Sequence, residues 1–261
     1  SGALVNSAIS GQTQVGGLVG RAANALTISN ALTGPSTTVT GTGAGYSVGG
    51  LVGQADNALT ISNSTSNAAV SGTYQVGGAV GYSSYSTAAP SLNQVTVNGN
   101  VTGPRNTLGG AYVGGMVGKS DSTAFLTATS LTHSGTVTST GDYTGGLFGS
   151  LAGGLNLSNS SHSGTVTGKS ATGGLAGSVA GNTTLSNVSN SGNVTGTTQT
   201  GGLIGLSSGT FSLTNTPGSG NSGSVSGTTS VGGLVGNLLG NSTLTGGTTP
   251  LVTGNVTGTQ Y

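Results

Sequence analysis

The sequence predicts an all-β fold: a single parallel β-helix, or β-solenoid, of about nine rungs, each with three short strands and 28–37 residues. Three observations predict it. A glycine-rich string recurs throughout, a valine-centred string keeps phase with it, and apolar and polar residues alternate within the strings.

The string Gly-Gly-x-x-Gly occurs eight times. Its glycines are Gly16, Gly17 and Gly20; Gly49, Gly50 and Gly53; Gly77, Gly78 and Gly81; Gly114, Gly115 and Gly118; Gly145, Gly146 and Gly149; Gly173, Gly174 and Gly177; Gly201, Gly202 and Gly205; and Gly232, Gly233 and Gly236. Successive copies begin 33, 28, 37, 31, 28, 28 and 31 residues apart. A 28-residue unit with short insertions describes a repeat array whose extra residues form outward loops. Ser83–Pro90, Pro104–Ala111 and Pro217–Gly223 read as such loops.

The second string precedes each glycine pair and centres on Ile9, Val39, Val70, Val101, Val137, Val166, Val194, Val225 and Val256. A third reads LTISN at Leu26 and Leu59, LNLSN at Leu155 and FSLTN at Phe211. Each alternates apolar and polar residues over about five positions, which is strand periodicity with one face buried. A five-residue strand cannot bury that face alone. Stacking rungs builds a continuous narrow core and pairs each backbone group with the rung above and below. Residues 1–261 then form one domain with no linker and no obvious end cap, about 40 Å long at roughly 4.8 Å per rung.

Composition excludes several functions. The chain has no Cys, so it carries neither a disulfide framework nor a Cys-based metal site. Four cations cannot track a phosphate backbone, so nucleic acid is excluded as a partner. No apolar run reaches the ~18 residues of a membrane-spanning helix. The charged residues are Arg21, Asp56, Arg105, Lys119, Asp121, Asp142 and Lys169. No cofactor is expected: no P-loop Lys-Ser/Thr follows a glycine string, and Asp does not recur in each repeat as a calcium-binding solenoid requires.

The pattern V-G-G-L-V-G, then a turn, an apolar strand, N-S and G-x-V-x-G, resembles the GLUG motif. It is clearest at Val15–Gly20, Val48–Gly53 and Val231–Gly236, and the resemblance covers essentially the whole chain. Such repeats occur in large secreted bacterial surface proteins, including adhesins resembling filamentous haemagglutinin. The resemblance implies a parallel β-helix, an extracellular or cell-surface location and no enzymatic activity, because the motif glycines shape backbone. It implies a structural or adhesive role as a filament subunit or adhesin segment. The expected partners are further copies of the chain, packed end to end or laterally, or a host or cell-surface glycan or protein.

Two pairs of residues could carry chemistry. His133 and His162 each lie four residues before the valine of their rung, so they should stack. They read as solvated imidazoles, because a closed metal site needs three or four ligands. Asp56 and Asp121 each follow the first glycine of their string by seven residues, two rungs apart. That separation is roughly 10 Å, near the ~6.5–9.5 Å of inverting glycosidases. A polysaccharide-cleaving β-helix is therefore a further reading. However, both read as solvated turn aspartates with no aromatic sugar platform beside them.

Alternation places a hydroxyl face opposite the buried valines. One column is Ser10, Thr40, Ser71, Thr102, Thr138, Thr167, Thr195, Ser226 and Thr257. The second is Gln12, Thr42, Thr73, Pro104, Thr140, Lys169, Thr197, Thr228 and Thr259. Such a ladder is ordinary on a solvated β-face. It is also the candidate interaction face and resembles the T-x-T faces of antifreeze solenoids, so ice binding is the alternative function. Nine Asn-x-Ser/Thr sequons, from Asn63 to Asn255, are candidate glycan acceptors. The termini cut across the repeat, which is the expectation for a segment of a longer protein or a subunit that docks head to tail.

Overall fold

A computed structural model describes residues 4–43, 46–84, 88–104, 110–247 and 249–259. Arg105, Tyr261, and the centres of the loops expected at 83–90 and 104–111, lie outside the described residues. The fold is an all-β parallel solenoid of about eight turns, with no helix among the described residues. Four sheets run along it. One turn shows their order: Leu59–Ser66 in sheet A, Ala69–Ser71 in sheet B, Gln75–Gly77 in sheet C and Val80–Ser83 in sheet D.

The repeat read from the sequence is the register of the structure. The first glycine of each pair aligns from Gly16 through Gly49, Gly77, Gly114, Gly145, Gly173 and Gly201 to Gly232. The valine column aligns from Ile9 to Val256 as the nine-stranded sheet B.

Each turn has four strands where the strings suggest three, because Gly-Gly-x-x-Gly is a corner and not one strand. In the fifth copy, Tyr143–Gly145 belongs to sheet C and Phe148–Leu151 to sheet D. The two strands approach so closely that a Cβ on Gly145 would collide with the Phe148 carbonyl and lie 2.6 Å from the Gly177 nitrogen. A Cβ on Gly146 would run into the His162 ring. Glycine is needed here for close approach.

The third string is also longer than expected. Strands Leu59–Ser66, Leu155–His162 and Thr183–Asn190 have eight residues and turn a corner inside. The corner residues Asn63, Asn159 and Asn187 have φ of 47°, 49° and 49°, a left-handed conformation that Asn tolerates better than most residues. The expected loop at 217–223 ends in a short strand, Gly220–Asn221, paired with sheet A.

Two apolar cores run along the rod. Leu, Ile, Val and Phe from sheets A and D fill the larger. The smaller sets the sheet B valines Val39, Val70, Val101, Val137, Val166, Val194 and Val225 against a sheet C column of Val15, Val48, Val76, Val113, Thr144, Thr172 and Thr200. Each fully buried Val or Leu contributes about 1.5–3 kcal/mol.

Candidate functional site

The structure splits the expected hydroxyl face. Thr40, Thr102, Thr138, Thr167, Thr195 and Thr257 lie on sheet B strands in register, exposed or half-buried. Their column is linked in places, with Ser71 Oγ donating to Thr40 at 3.3 Å and Thr195 Oγ1 3.2 Å from Ser226 Oγ. Thr42, Thr73, Thr140, Thr197, Thr228 and Thr259 fall past the strand ends. Thr73 Oγ1 donates to the Gly43 carbonyl at 2.6 Å. The chain turns at the glycine between the columns. At Gly72 it runs against the Val48 side chain of sheet C, where an added Cβ would lie 2.5 Å from Val48 Cγ2.

A more regular hydroxyl face lies on sheet A, where sequence reasoning saw only a strand. Its first column aligns Thr27, Thr60, Ser91, Thr127, Asn156, Thr184, Ser212 and Thr243. Its second aligns Ser29, Ser62, Asn93, Thr129, Ser158, Ser186, Thr214 and Thr245. Both columns sit on strands, with the inward residue between them. A shallow trough of about 150 Å³ crosses Thr127, Thr129, Asn156, Ser158, Thr184 and Ser186. The signal was present in the T-x-S spacing of LTISN.

The imidazoles of His133 and His162 stack on adjacent turns as expected, with ring centroids 4.9 Å apart. They are not solvated: their exposures are 0% and 1%. They belong to an inward column with Thr33, Ser66, Val97, Asn190 and Asn221. The second glycine of the pair leaves room for this column. His133 Nδ1 lies 2.8 Å from the Gly146 carbonyl, and Nε2 3.2 Å from that of Gly99. Neutral His133 has one N–H, so either tautomer leaves one of these carbonyls without a donor. Desolvation outweighs that demand and lowers the pKa of His133. Burial first, then the neighbouring His133, lowers His162 to about 3.

Burying these bases makes the fold acid-sensitive. Well above the ordinary histidine pKa of about 6.5 both are neutral in the folded and unfolded chain, and the structure keeps its full stability. Below that, the unfolded chain takes up protons that folded His162 refuses until about pH 3. Stability therefore falls through that window by about 1.4 kcal/mol per pH unit from His162, with His133 acting in the same direction. Denaturant melts from pH 7 to 4 should show this slope. His162→Asn should flatten it, because Asn190 already occupies the next position of the column.

Asp56 and Asp121 lie two turns apart as expected, but they are not solvated turn aspartates. Asp56 accepts from Arg21 Nε at 2.6 Å, Gln54 Nε2 at 2.6 Å and Ser84 Oγ at 2.9 Å. The Gln54 bond, with smaller contributions from Arg21 and Ser84, holds its carboxyl below the usual value against the opposing effect of burial. Asp121 pairs with Lys119 Nζ at 2.9 Å and accepts from the Tyr82 hydroxyl at 2.6 Å.

Aromatic rings do accompany them. Tyr112 stacks on Tyr143 with centroids 5.1 Å apart and planes 4° apart, and Tyr74 meets Tyr112 edge-on at 5.4 Å. Lys119 Nζ lies 4.8 Å from the Tyr112 ring centroid. Burial, and then the bond to Asp121, pushes the Tyr82 hydroxyl well above its usual pKa. Burial with the neighbouring tyrosines pushes Tyr112 up to about 12. Both hydroxyls therefore remain protonated donors near neutral pH.

Among the described residues no group of three or more His, Cys, Asp or Glu side chains could hold a metal ion. Among the same residues no helix is long and apolar enough to cross a membrane. No protein-family model, curated protein or solved structure matches the chain.

Proposed function

We propose that the chain is a non-catalytic extracellular β-solenoid with a structural and adhesive role, either a filament-forming subunit or a segment of a large surface adhesin. The observation that carries this reading is the unbroken register of the glycine-pair corners through every turn. It builds a stiff rod whose outer columns repeat at the rung spacing of roughly 4.8 Å, a surface suited to a repetitive partner. The resemblance to GLUG repeats supports the extracellular setting. The two residue pairs that the sequence offers for acid–base work are engaged: Asp56 and Asp121 in ion pairs, His133 and His162 in the core.

The expected result is co-sedimentation of the purified chain with an insoluble polysaccharide, cellulose or chitin, without release of reducing sugar. Sugar release that Asp56→Asn abolishes would replace this reading with a polysaccharide-cleaving enzyme.

The double column on sheet A favours ice binding as a second reading. It is uncharged, and its two columns on one strand are spaced about 6.7 Å apart. That reading requires thermal hysteresis that Thr127→Tyr with Thr184→Tyr removes without lowering the melting temperature. Absence of hysteresis in the unmutated chain rejects it.

A further inference from the structure

The outer surface is rich in Ser, Thr, Asn and Gly, with exposed apolar residues such as Leu32, Phe125 and Leu239, and its described tyrosines gather along one seam. All five described tyrosines lie on, or immediately before, the strands of sheets C and D: Tyr46, Tyr74, Tyr82, Tyr112 and Tyr143. Five of the six described charged residues lie on or directly beside strands of the same two sheets, and only Lys169 stands further from one. Tyr74 and Tyr143, 69 positions apart, are joined through Tyr112 purely by stacking of turns.

The fold does not require these side chains. The register position of Tyr112 and Tyr143 in sheet C is held by Ser47 and Gln75 in the turns before and Ala171 in the turn after. The position of Tyr82 and Lys119 in sheet D is held by Gln54, Ser150 and Ser178 in neighbouring turns. A solenoid that accepts Ser or Ala at these places carries rings there for another reason.

We propose that this seam is a carbohydrate-binding site for a neutral polysaccharide chain lying along the rod. The inference rests on the adhesive reading and names its ligand class. Tyrosine presents an apolar ring and a polar tip, the pairing that suits the C–H faces and hydroxyls of a sugar. The half-buried rings of Tyr74, Tyr112 and Tyr143 are held by one another, so little side-chain freedom is lost on binding.

The charges disfavour an acidic polysaccharide. Arg21 is paired with Asp56 and Lys119 with Asp121, and Asp142, which accepts from Ser170 Oγ at 3.4 Å, adds one acidic group, so the described residues of the seam offer no unpaired cation to an anionic polymer. Asp121 keeps acceptor capacity beyond its bonds from Lys119 and Tyr82, since a carboxylate offers about four lone-pair sites and its side chain is 38% exposed. From Tyr74 to Tyr143 the rings span three successive turns, about 10 Å by the rung spacing, enough for a short run of sugar units.

The test uses cellohexaose, mannohexaose and chitohexaose. The chain has no Trp, so its fluorescence is that of its seven tyrosines, five of them on this seam, and calorimetry gives the affinity. The expected result is saturable binding of at least one of the three. It should weaken at least tenfold in Tyr112→Ala with Tyr143→Ala and persist in Tyr112→Phe with Tyr143→Phe. Circular dichroism verifies folding. If the alanine variant fails to fold, Lys119→Met and Asp121→Asn carry the test, each expected to weaken binding at least threefold. No binding of any of the three, or unchanged binding in the folded variants, overturns the proposal. Co-sedimentation with cellulose or chitin that survives in the alanine variant rejects the seam and leaves the adhesive reading standing. Absence of co-sedimentation of the unmutated chain rejects the adhesive reading itself.

Discussion

Val166→Asp is expected to abolish folding. Val166 is fully buried and lies in register between Val137 and Val194, in the middle of the smaller core. On the sheet B side that core is valine, and the sheet C column that shares it carries the buried hydroxyls of Thr144, Thr172 and Thr200, which are weaker partners for a charge than a cation. A charge without a counter-ion there costs several kcal/mol, and protonating it still buries a polar carboxyl where an apolar side chain fitted. The lost valine adds about 1.5–3 kcal/mol. Against the 5–15 kcal/mol that holds a typical domain together, the sum is decisive. The expected observation is loss of the β signal in circular dichroism and of any cooperative melt. A variant that melts like the unmutated chain would show that the valine column does not face inward.

Gly145→Ala should have the second largest effect, through a single methyl group. Its Cβ would collide with the Phe148 carbonyl and lie 2.6 Å from the Gly177 nitrogen and 2.8 Å from the Ala176 Cα. These are backbone atoms on the same and the next turn, so no side-chain rotation relieves the clash. Opening the corner costs about 3 kcal/mol or more, the upper end of overpacking penalties. Because each turn contacts only its neighbours, the loss should be local. Hydrogen exchange should speed up in the turns holding Gly145 and Gly177, and stay slow around Gly49 and Gly205. Protection unchanged at the corner would mean that sheets C and D do not approach this closely.

The parts of the structure that repeat were legible in the sequence. Eight glycine pairs at nearly constant spacing set the register, and alternation around Val137, Val166 and Val194 set the inward face. The corner within Gly-Gly-x-x-Gly was not legible, because GGLFG and a buried strand look alike in one dimension. What divides them is the close approach at Gly145. The length of the third strand was hidden by Asn159, which reads as a turn residue and serves as a left-handed kink within a strand. His133 and His162 read as solvated because two imidazoles alone do not make a closed metal site. The space opened by Gly115 and Gly146 takes them inside. The shared phase of His133, His162, Asn190 and Asn221, each followed by Ser-Gly-x-Val, was the available clue.

The seam was the least legible feature. Tyr74, Tyr82, Tyr112 and Tyr143 are scattered and follow no repeat. They meet because insertions of different length still leave Tyr112 and Tyr143 in register. Asp121 was read as a lone turn residue for the same reason: Tyr82, which donates to it, is 39 residues away in sequence.

The central claim is that this rod acts by holding a surface and not by turning over a substrate. The most direct measurement is the retention, under flow, of beads coated with the folded chain on glass coated with cellulose or chitin. The account predicts that coated beads are held where bare beads wash away, that beads carrying Gly145→Ala are held less well, and that no soluble sugar is released during contact. Coated beads that wash away from both surfaces as readily as bare ones, with the chain shown to be folded, would contradict it.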